Sequence, residues 1–507
     1  MTAVIGVDIG TTSTKVISFH YKGNILAEES AGYSLNSPRP GRADQDPDEI
    51  LEAVLDSLTK VVHATKYQGY EVAGVSFSAA MHSLLALDSN GDPLTPALIY
   101  ADHRASEQAT RIRKDLDGTG LHRRTGTPIH PMSPLTKILW FKEEAPDTFE
   151  ATAKWISIKE YIFFRLFGEY LVDHSIASST GMFNLENLDW DETALQVAGV
   201  SREKLSQPVS TTHVIDGMKD ELADRLGLKT DTPFVVGAND GVLANLGLGA
   251  TESGVVACSI GTSGAVRSVV DRPQVDEGGK LFCYALTEEK WVIGGPINNG
   301  GIALQWAVEE LFPDIKEEAE ERGQDPHDLA SEWAEEVAAG AEGVIFLPYL
   351  TGERAPYWNS DARGVFFGLS LQHGRRHLIR AVMEGVIYQM YAVQRALEEV
   401  IGEPKEIRAT GGFAQSVLWR QIMADVYGRE IAFPDSYESS CLGAALLGMK
   451  ALNIIDSLEA ANEMIRISTR HQPIEENAAV YEKLVQIFDR LYEQLEPQFT
   501  EISNLQL

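Results

Sequence analysis

The sequence predicts an α/β chain made of two related domains, each opening on a β-hairpin. Three observations lead there. Short apolar runs alternate with segments of helical periodicity, the pattern of helices packed on a sheet. The stretch VDIGTTSTKV at 7–16 has an echo in CSIGTSGAVR at 258–267: an apolar strand, Ile-Gly-Thr, a small-residue turn and a resumed strand. The chain has 507 residues, beyond the size at which a single core usually stops growing.

In order along the chain, residues 3–9 and 14–21 read as strands around the Gly10-Thr11-Thr12-Ser13 turn. Lys22-Gly23-Asn24 then turns the chain into a third strand at 25–33. From Asp46 the period changes to helical: Leu51, Val54, Leu55, Leu58, Val61 and Val62 share one face, with Asp46 as N-cap and Pro47 in the first turn. VAGVSFSA (72–79) and PFVVGAND (233–240) are further strands. The second Ile-Gly-Thr places a domain boundary near 245–253, giving domains of 1–248 and 249–507. The Glu/Ala-rich stretch 315–341 reads as a solvated helix pair or loop without chemistry. The tail from 474 to 499, with Leu484, Ile487, Leu491 and Leu495, reads as a packing helix.

Composition narrows the function. Apolar residues make up 44% and charged residues 23%, as in ordinary globular proteins. The formal charge of −31 argues against nucleic-acid or anionic-membrane surfaces, which require basic patches. An anionic substrate would then need a cation such as Mg²⁺ to offset repulsion. Cys258, Cys283 and Cys441 lie far apart without CxxC spacing, so a disulfide framework or zinc site is not expected and a reducing cytoplasm is. Neither a signal peptide nor an apolar run of about 18 residues is expected from the pattern.

Four segments could carry chemistry. The turn Gly10–Ser13 clusters backbone N–H groups and hydroxyls, which suits phosphate oxygens; it also reads simply as a tight turn. Its echo at Gly261-Thr262-Ser263 favours phosphate held between two hairpins, with Asp8 reaching Mg²⁺ through water. There is no GxxxxGK[ST] and no protein-kinase motif set. Asp240 stands where a strand gives way to a Gly/Ala-rich helix, flanked by Gly237 and Gly241. It is either a helix cap or the base that takes a proton from a hydroxyl acceptor of a phosphoryl group. Gly411 and Gly412 open a helix with Leu418, Ile422 and Val426 on one side, as a nucleotide-accepting turn or a common Gly-Gly start. His82, after Met81 at a strand end, is either a polyol ligand or a histidine satisfied within the fold; Asp102, His103 and Arg104 lie nearby in sequence. No histidine spacing fits a metal motif.

Taken together these residues resemble the FGGY carbohydrate kinases. MSPLTKILWFKEE (132–144) fits the family's first signature through Met132, Pro134, Lys137, Trp140, Glu143 and Glu144. GVFFGLSLQHGRRHLIRAVME (364–384) fits the second through Gly364, Phe366, Gly368, Leu369, His377, Leu378, Ala381 and Glu384. The Asp8 turn, Gly237-x-x-Asp240-Gly241, PYLTGERAPYW (348–358) and Gly411-Gly412 with Ser416, Trp419, Gln421 and Asp425 follow in the family's order, so the resemblance covers residue 3 to about 450.

The resemblance implies an α/β fold of two actin-like ATPase (ribonuclease H-like) domains. Each would be a mixed five-stranded sheet flanked by helices, with ATP in an interdomain cleft and the sugar deeper, mostly against the N-terminal domain. It implies Asp240 as catalytic base, with Asp8 and Asp240 near Mg²⁺. Gly10, Thr11, Thr12, Ser13 and Lys15 would face the phosphates, as would Gly261, Thr262 and Ser263. Gly301, Gln305, Gly411, Gly412 and Gln415 would lie around the nucleotide. Met81, His82, Asp102, His130 and Asn239, with Asp240, would meet the sugar. The two signatures themselves look architectural.

Glycerol kinases of the family carry Arg-Glu where this chain has Met81-His82, and an aromatic in place of Met132. Xylulokinases share Met-His but usually set Gly-Gln before it and Gly after it, whereas here the run is Ser78-Ala79-Ala80-Met81-His82-Ser83. That run, with GRADQDPDEI (41–50), ADHRA (101–105) and HPMSP (130–134), is more similar to the gluconate kinases. A sugar-acid carboxylate would need His82, Arg104 or His130, Arg104 having a structural alternative. The rivals are xylulose or another polyol as substrate, and a non-catalytic actin-like ATP-binding protein. Homodimers are common among similar proteins.

Overall fold

The structure is a computed structural model describing residues 2–39, 41–435 and 439–505. Its contacts group into two units. The first holds Met1–Ser253 with Val269–Ile293 and Glu438–Ile465; the second holds Gly254–Ser268, Gly294–Tyr437 and Arg466–Leu507. The grouping therefore does not follow a single cut of the chain.

The first unit is organised by β1 (Thr2–Ile9), β2 (Ser13–His20) and β3 (Ile25–Gly32), then α1 (Pro47–Tyr67) and β4 (Glu71–Ala79), and later β5 (Val214–Ile215) and β6 (Phe234–Asn239). The sheet order is β5-β6-β4-β1-β2-β3. β1 is antiparallel to β2 and parallel to β4, and β6 is parallel to β4. The expected five strands are all present, and the two-residue β5 adds a sixth, antiparallel to β6. β1 and β6 are apolar almost throughout because both faces are covered, as central parallel strands require.

Helix α1 covers one face as its spacing predicts. Asp46 caps it, accepting from the amides of Asp48 (2.9 Å) and Glu49 (3.5 Å), and Pro47 occupies the first turn. Leu51, Val54, Leu55, Leu58, Val61 and Val62 are buried against the sheet, so truncating Leu58 to Ala would cost about 2–5 kcal/mol. The helix Ser439–Ala451, also of this unit, packs against β1 and β4 through a core that includes Val4, Leu442, Ala445 and Met449.

The second unit repeats the arrangement. It is built on six strands of a seven-stranded sheet, β7 (Val255–Ile260), β8 (Gly264–Val270) and β9 (Trp291–Ile297), then β10 (Glu406–Thr410), β11 (Ile431–Pro434) and β12 (Ile467–His471), in the order β9-β8-β7-β10-β11-β12; the ends of β8 and β9, Val269–Val270 and Trp291–Ile293, are grouped with the first unit. β7 is antiparallel to β8 and parallel to β10, and β10 is parallel to β11. Third-second-first-fourth-fifth is thus common to both sheets, and the Ile-Gly-Thr echo marks the same hairpin in each. In this unit too an edge strand, β12, lies beyond those five. The helix Arg375–Ile401 carries much of this core, and Glu475–Leu505 follows the expected tail helix with Tyr481, Val485, Phe488 and Leu491 buried.

Candidate active site

In the first unit the parallel strands β1, β4 and β6 end together. Asp8 pairs with Ser78 across β1 and β4, and both Ile9 and Asn239 pair with Ala79. Asp8 and Asp240 therefore stand at the same carboxyl-terminal edge with β4 between them, two strand spacings or roughly 10 Å apart at the backbone. Met81 and His82 follow the end of β4 at that edge. Ligands of open α/β sheets bind beyond such strand ends, where loops and helix termini converge.

Asp8 is held rather than dangling. Ser78 Oγ donates to Asp8 Oδ1 at 2.6 Å, and Thr14 Oγ1 donates to the Asp8 carbonyl at 3.1 Å. Lys15 is directly opposite Asp8 on β2, so the two side chains share a face. The turn closes through Gly10 N–H to Ser13 O at 3.0 Å. Two residues that the sequence reading missed brace it: the Tyr33 hydroxyl donates to Gly10 O, and Gln45 Nε2 donates to Thr11 O at 2.7 Å. Burial, reinforced by the charge of Asp8, raises the Tyr33 phenol well above its ordinary value, so it stays a donor. Gln45 lies inside the GRADQDPDEI segment, the one signal that could have found it.

Asp240 is the first residue of the helix Asp240–Gly247, and its Oδ1 accepts from Gly241 N–H at 2.7 Å. The cap is the residue before it. Asn239 Oδ1 accepts from Val242 N–H at 2.8 Å, while its Nδ2 donates to Ser175 Oγ (2.8 Å) and Ser175 O (3.3 Å). Asn239 is fully buried, and its side chain is committed to this joint rather than offered to a ligand. Of the two readings of Asp240, capping thus falls to Asn239. The strand reaches the joint through Gly237, at φ +77°, where an added Cβ would lie 1.7 Å from the Phe77 carbonyl oxygen.

Beyond the end of β4, His82 has φ +66° and its Nδ1 lies 2.9 Å from Ser179 O. Such backbone is uncommon outside glycine and concentrates at functional sites. The first signature explains how it is held: Lys137, fully buried, donates to His82 O at 2.9 Å and Ile99 O at 2.7 Å. Burial pushes the Lys137 ammonium down to about 7, with Asp102 opposing the fall and Arg104 adding to it. Asp102 is fully buried and both its oxygens are engaged: Oδ1 with Arg104 Nε (2.7 Å) and Arg104 N–H (3.2 Å), Oδ2 with Arg104 Nη2 (2.7 Å) and Ala43 N–H (3.0 Å). Burial alone would raise its carboxyl, but these bonds hold it below the usual range. Asp102 and Arg104 are therefore a structural pair tying the 41–45 loop to this side. His130 is buried, with Met132 N–H 3.3 Å from its Nδ1 and the His103 ring edge-on at 5.5 Å.

In the second unit a cavity of about 430 Å³, within the usual range for small-ligand sites, collects six of the residues expected around the nucleotide, Ser263 not among them. Gly261, Thr262, Gly301, Gln305, Gly412 and Gln415 all line it. The hairpin is pinned by its neighbour loop: Gly301 N–H bonds Gly261 O (2.7 Å), and Gly300 N–H (3.1 Å) and Ile302 N–H (3.2 Å) bond Thr262 O. Gly411 does not line the cavity but lets the chain pass, at φ +108° with an added Cβ 2.2 Å from Ile260 O. Ser416 caps the following helix by accepting from Trp419 N–H at 3.2 Å. The expected helix pair in 315–341 is present, but it is not wholly a solvated surface. The 315–341 stretch contains the helices Asp314–Arg322 and Pro326–Glu335, and Asp325, His327, Asp328 and Ser331 reach the cavity wall. A Glu/Ala-rich composition conceals this, because only the tertiary path brings that helix to the hairpin.

Among the described residues no group of three or more His, Cys, Asp or Glu side chains gathers as an ion site. Asp8 and Asp240, two carboxylates at one sheet edge, nevertheless fit Mg²⁺, which commonly takes one or two carboxylates and completes its shell with water and phosphate. Within the second signature Glu384 is engaged inside the fold: it is buried and bonded to Arg380 (2.6 Å), Tyr481 (2.7 Å) and Gly340 N–H (3.0 Å). Among the described residues no helix is long and apolar enough to cross a membrane.

Comparison with known proteins gives a consistent picture. The FGGY family of carbohydrate kinases matches twice, its N-terminal domain over residues 3–247 and its C-terminal domain over residues 256–452. A gluconokinase of Bacillus subtilis (strain 168) is 48% identical over 504 residues, covering 99% of this chain and 98% of its own. A xylulose kinase of Staphylococcus epidermidis (strain ATCC 12228 / FDA PCI 1200) is 30% identical over 495 residues, covering 97% and 96%. Two solved structures from Lactobacillus acidophilus, a gluconate kinase and a ligand-bound xylulose kinase, each superpose with a TM-score of 0.93 at 35% identity. Each covers 99% of this chain, and 99% and 100% of its own chain respectively.

Proposed function

Because this chain belongs to the FGGY family of carbohydrate kinases, we propose that it transfers the γ-phosphoryl group of ATP to the C6 hydroxyl of D-gluconate, giving 6-phospho-D-gluconate. The observation that carries the chemistry is Asp240, following the Asn239 cap at the strand edge shared with Asp8 and Met81-His82. The choice of sugar rests on 48% identity to a gluconokinase against 30% to a xylulose kinase.

In this reading residues 1–248 supply the sugar side and the base, and residues 249–507 the nucleotide side. Asp240 orients the acceptor hydroxyl and takes its proton as the oxygen attacks phosphorus in line. The Thr11–Ser13 and Thr262–Ser263 turns direct N–H and hydroxyl groups to the phosphates, and the cavity beside Gly412 and Gln415 receives the adenosine. Mg²⁺ held through water near Asp8 and Asp240 would neutralise phosphate charge. With Arg104 spent on Asp102, His82 and His130 are the better candidates for the gluconate carboxylate. A cytoplasmic homodimer accompanies the proposal.

The test is a panel of sugars and sugar acids in a coupled ADP-release assay, run on the native chain and on Asp240→Asn. Gluconate should be preferred, and loss of the base should lower kcat by about 10²–10⁴-fold. Preference for xylulose would overturn the substrate, a near-native rate in folded Asp240→Asn would overturn the base, and sugar-independent ATP turnover would favour the actin-like rival.

A further inference from the structure

Beneath the strand end that delivers Asp240 lies a charged assembly with no role in the steps above. Lys159 and Asp173 are both almost wholly buried, and Lys159 Nζ stands 2.6 Å from Asp173 Oδ2. Bringing an ammonium and a carboxylate out of water costs several kcal/mol per ion, and a packed apolar pair is often at least as stable. Stability alone is therefore a poor reason for the pair.

Its connections all lead to one place. Lys159 Nζ donates to the carbonyl of Ala238 at 3.2 Å, where the ladder between β6 and β4 shifts register after the Gly237 turn. The lysine supplies a donor at the point where the sheet is irregular. Asp173 Oδ1 accepts from Ile176 N–H at 2.9 Å and so caps the short helix His174–Ser178. The same helix presents Ser175, whose Oγ accepts from Asn239 N–H at 3.2 Å and from Asn239 Nδ2 at 2.8 Å. The last two residues before Asp240 are thus gripped by one assembly: Ala238 through its carbonyl, Asn239 through its amide and side chain. The charge of Lys159 is also attracted to Asp240 itself.

We propose that Lys159 is a positioning residue for phosphoryl transfer, with Asp173 as its anchor, fixing where the strand turns into the Asp240 helix and hence where the base points. The proposal rests on Asp240 being the base, and a displacement of about 1 Å at a reacting group is enough to cost about 10²-fold in rate.

The experiment uses the full chain carrying Lys159→Met together with Asp173→Asn, which removes both charges and leaves an acceptor for Ile176. Steady-state kinetics with gluconate and ATP are measured beside gluconate affinity by calorimetry and folding by urea denaturation. The expected result is a kcat about 10²-fold lower with gluconate affinity changed less than about threefold, the split left when alignment rather than binding is lost. Lys159→Arg, which retains a cation and N–H donors, should recover part of the loss, and adding Asp240→Asn should lower the kcat of the double variant by a smaller factor than it lowers that of the native chain. A folded double variant with kcat within about twofold of native, or with affinity falling in step with rate, overturns the proposal. Should the double variant not fold, Lys159→Gln, which keeps one donor for Ala238, is judged by the same split. A near-native rate in Asp240→Asn is a separate result: it removes the base whatever Lys159 does.

Discussion

Replacing Gly237 by Ala tests how the reacting edge is assembled. The residue sits at φ +77°, where a side chain costs about 1–2 kcal/mol. The new Cβ would lie 1.7 Å from the Phe77 carbonyl oxygen and 2.7 Å from its carbon, both backbone atoms that no rotamer change can move. Ordinary contact begins at 3.4 Å, so β4 and β6 must part locally by about 1.7 Å. That separation strains the pairing of Ala238 with Ser78 and of Asn239 with Ala79, at about 1 kcal/mol for each hydrogen bond weakened. Together the loss is about 3–4 kcal/mol of stability. Because Asp240 follows directly on the displaced strand, kcat should also fall by about 10²-fold. Urea denaturation gives the first quantity and coupled ADP release the second. Where the backbone is compatible, Gly→Ala stabilises by about 0.4–1 kcal/mol. A Gly237→Ala protein that is equally stable and turns over within about twofold of native would therefore refute the close-approach argument.

Gly261 offers the opposite case: a Cβ there meets nothing within 4 Å, and Gly261 itself lines the cavity. Gly261→Ala should leave stability within about 0.5 kcal/mol while raising the KM for ATP about tenfold, measured by urea denaturation and nucleotide titration. Glu160 is pushed up to about 7 by burial, against the opposing hydrogen bonds of Ser157. The folded protein then holds a proton that the unfolded chain releases above about 4.5, so this residue's contribution to stability falls as pH rises from about 4.5 to 7, by up to about 1.4 kcal/mol per unit. Glu160→Gln lacks that slope while retaining an acceptor for the Ser157 amide, and urea midpoints of both proteins across pH 4.5–7 should converge on or cross one another; parallel midpoints would remove the assignment.

Local order explains what could be read early. Alternation and helical spacing depend on neighbours in the chain, so β1–β4 and α1 with its Asp46 cap are legible directly. The Ile-Gly-Thr echo is legible for the same reason, and the common strand order of the two sheets is its three-dimensional counterpart. Asp8 and Asp240 could be singled out because each ends an apolar strand at a small-residue turn. The residues that were missed lack such a local mark. Tyr33 and Gln45 brace the Gly10 turn from 23 and 34 residues away, and Asp325 to Ser331 come to the cavity from a stretch whose composition suggests only a solvated surface.

The sequence by itself determined the α/β character, the duplicated hairpin, the family's motifs and the placing of Asp8 and Asp240 at apolar strand ends, because each is a property of a short segment or its spacing. Only the tertiary structure decided how those groups are employed. It spent Asp102 on Arg104, gave the capping role to Asn239 rather than Asp240, and turned Lys137 and Lys159 into buried donors for carbonyls at the sheet edge. A polar side chain's role depends on which partners reach it once water is gone, and those partners are set by packing between segments distant in the chain.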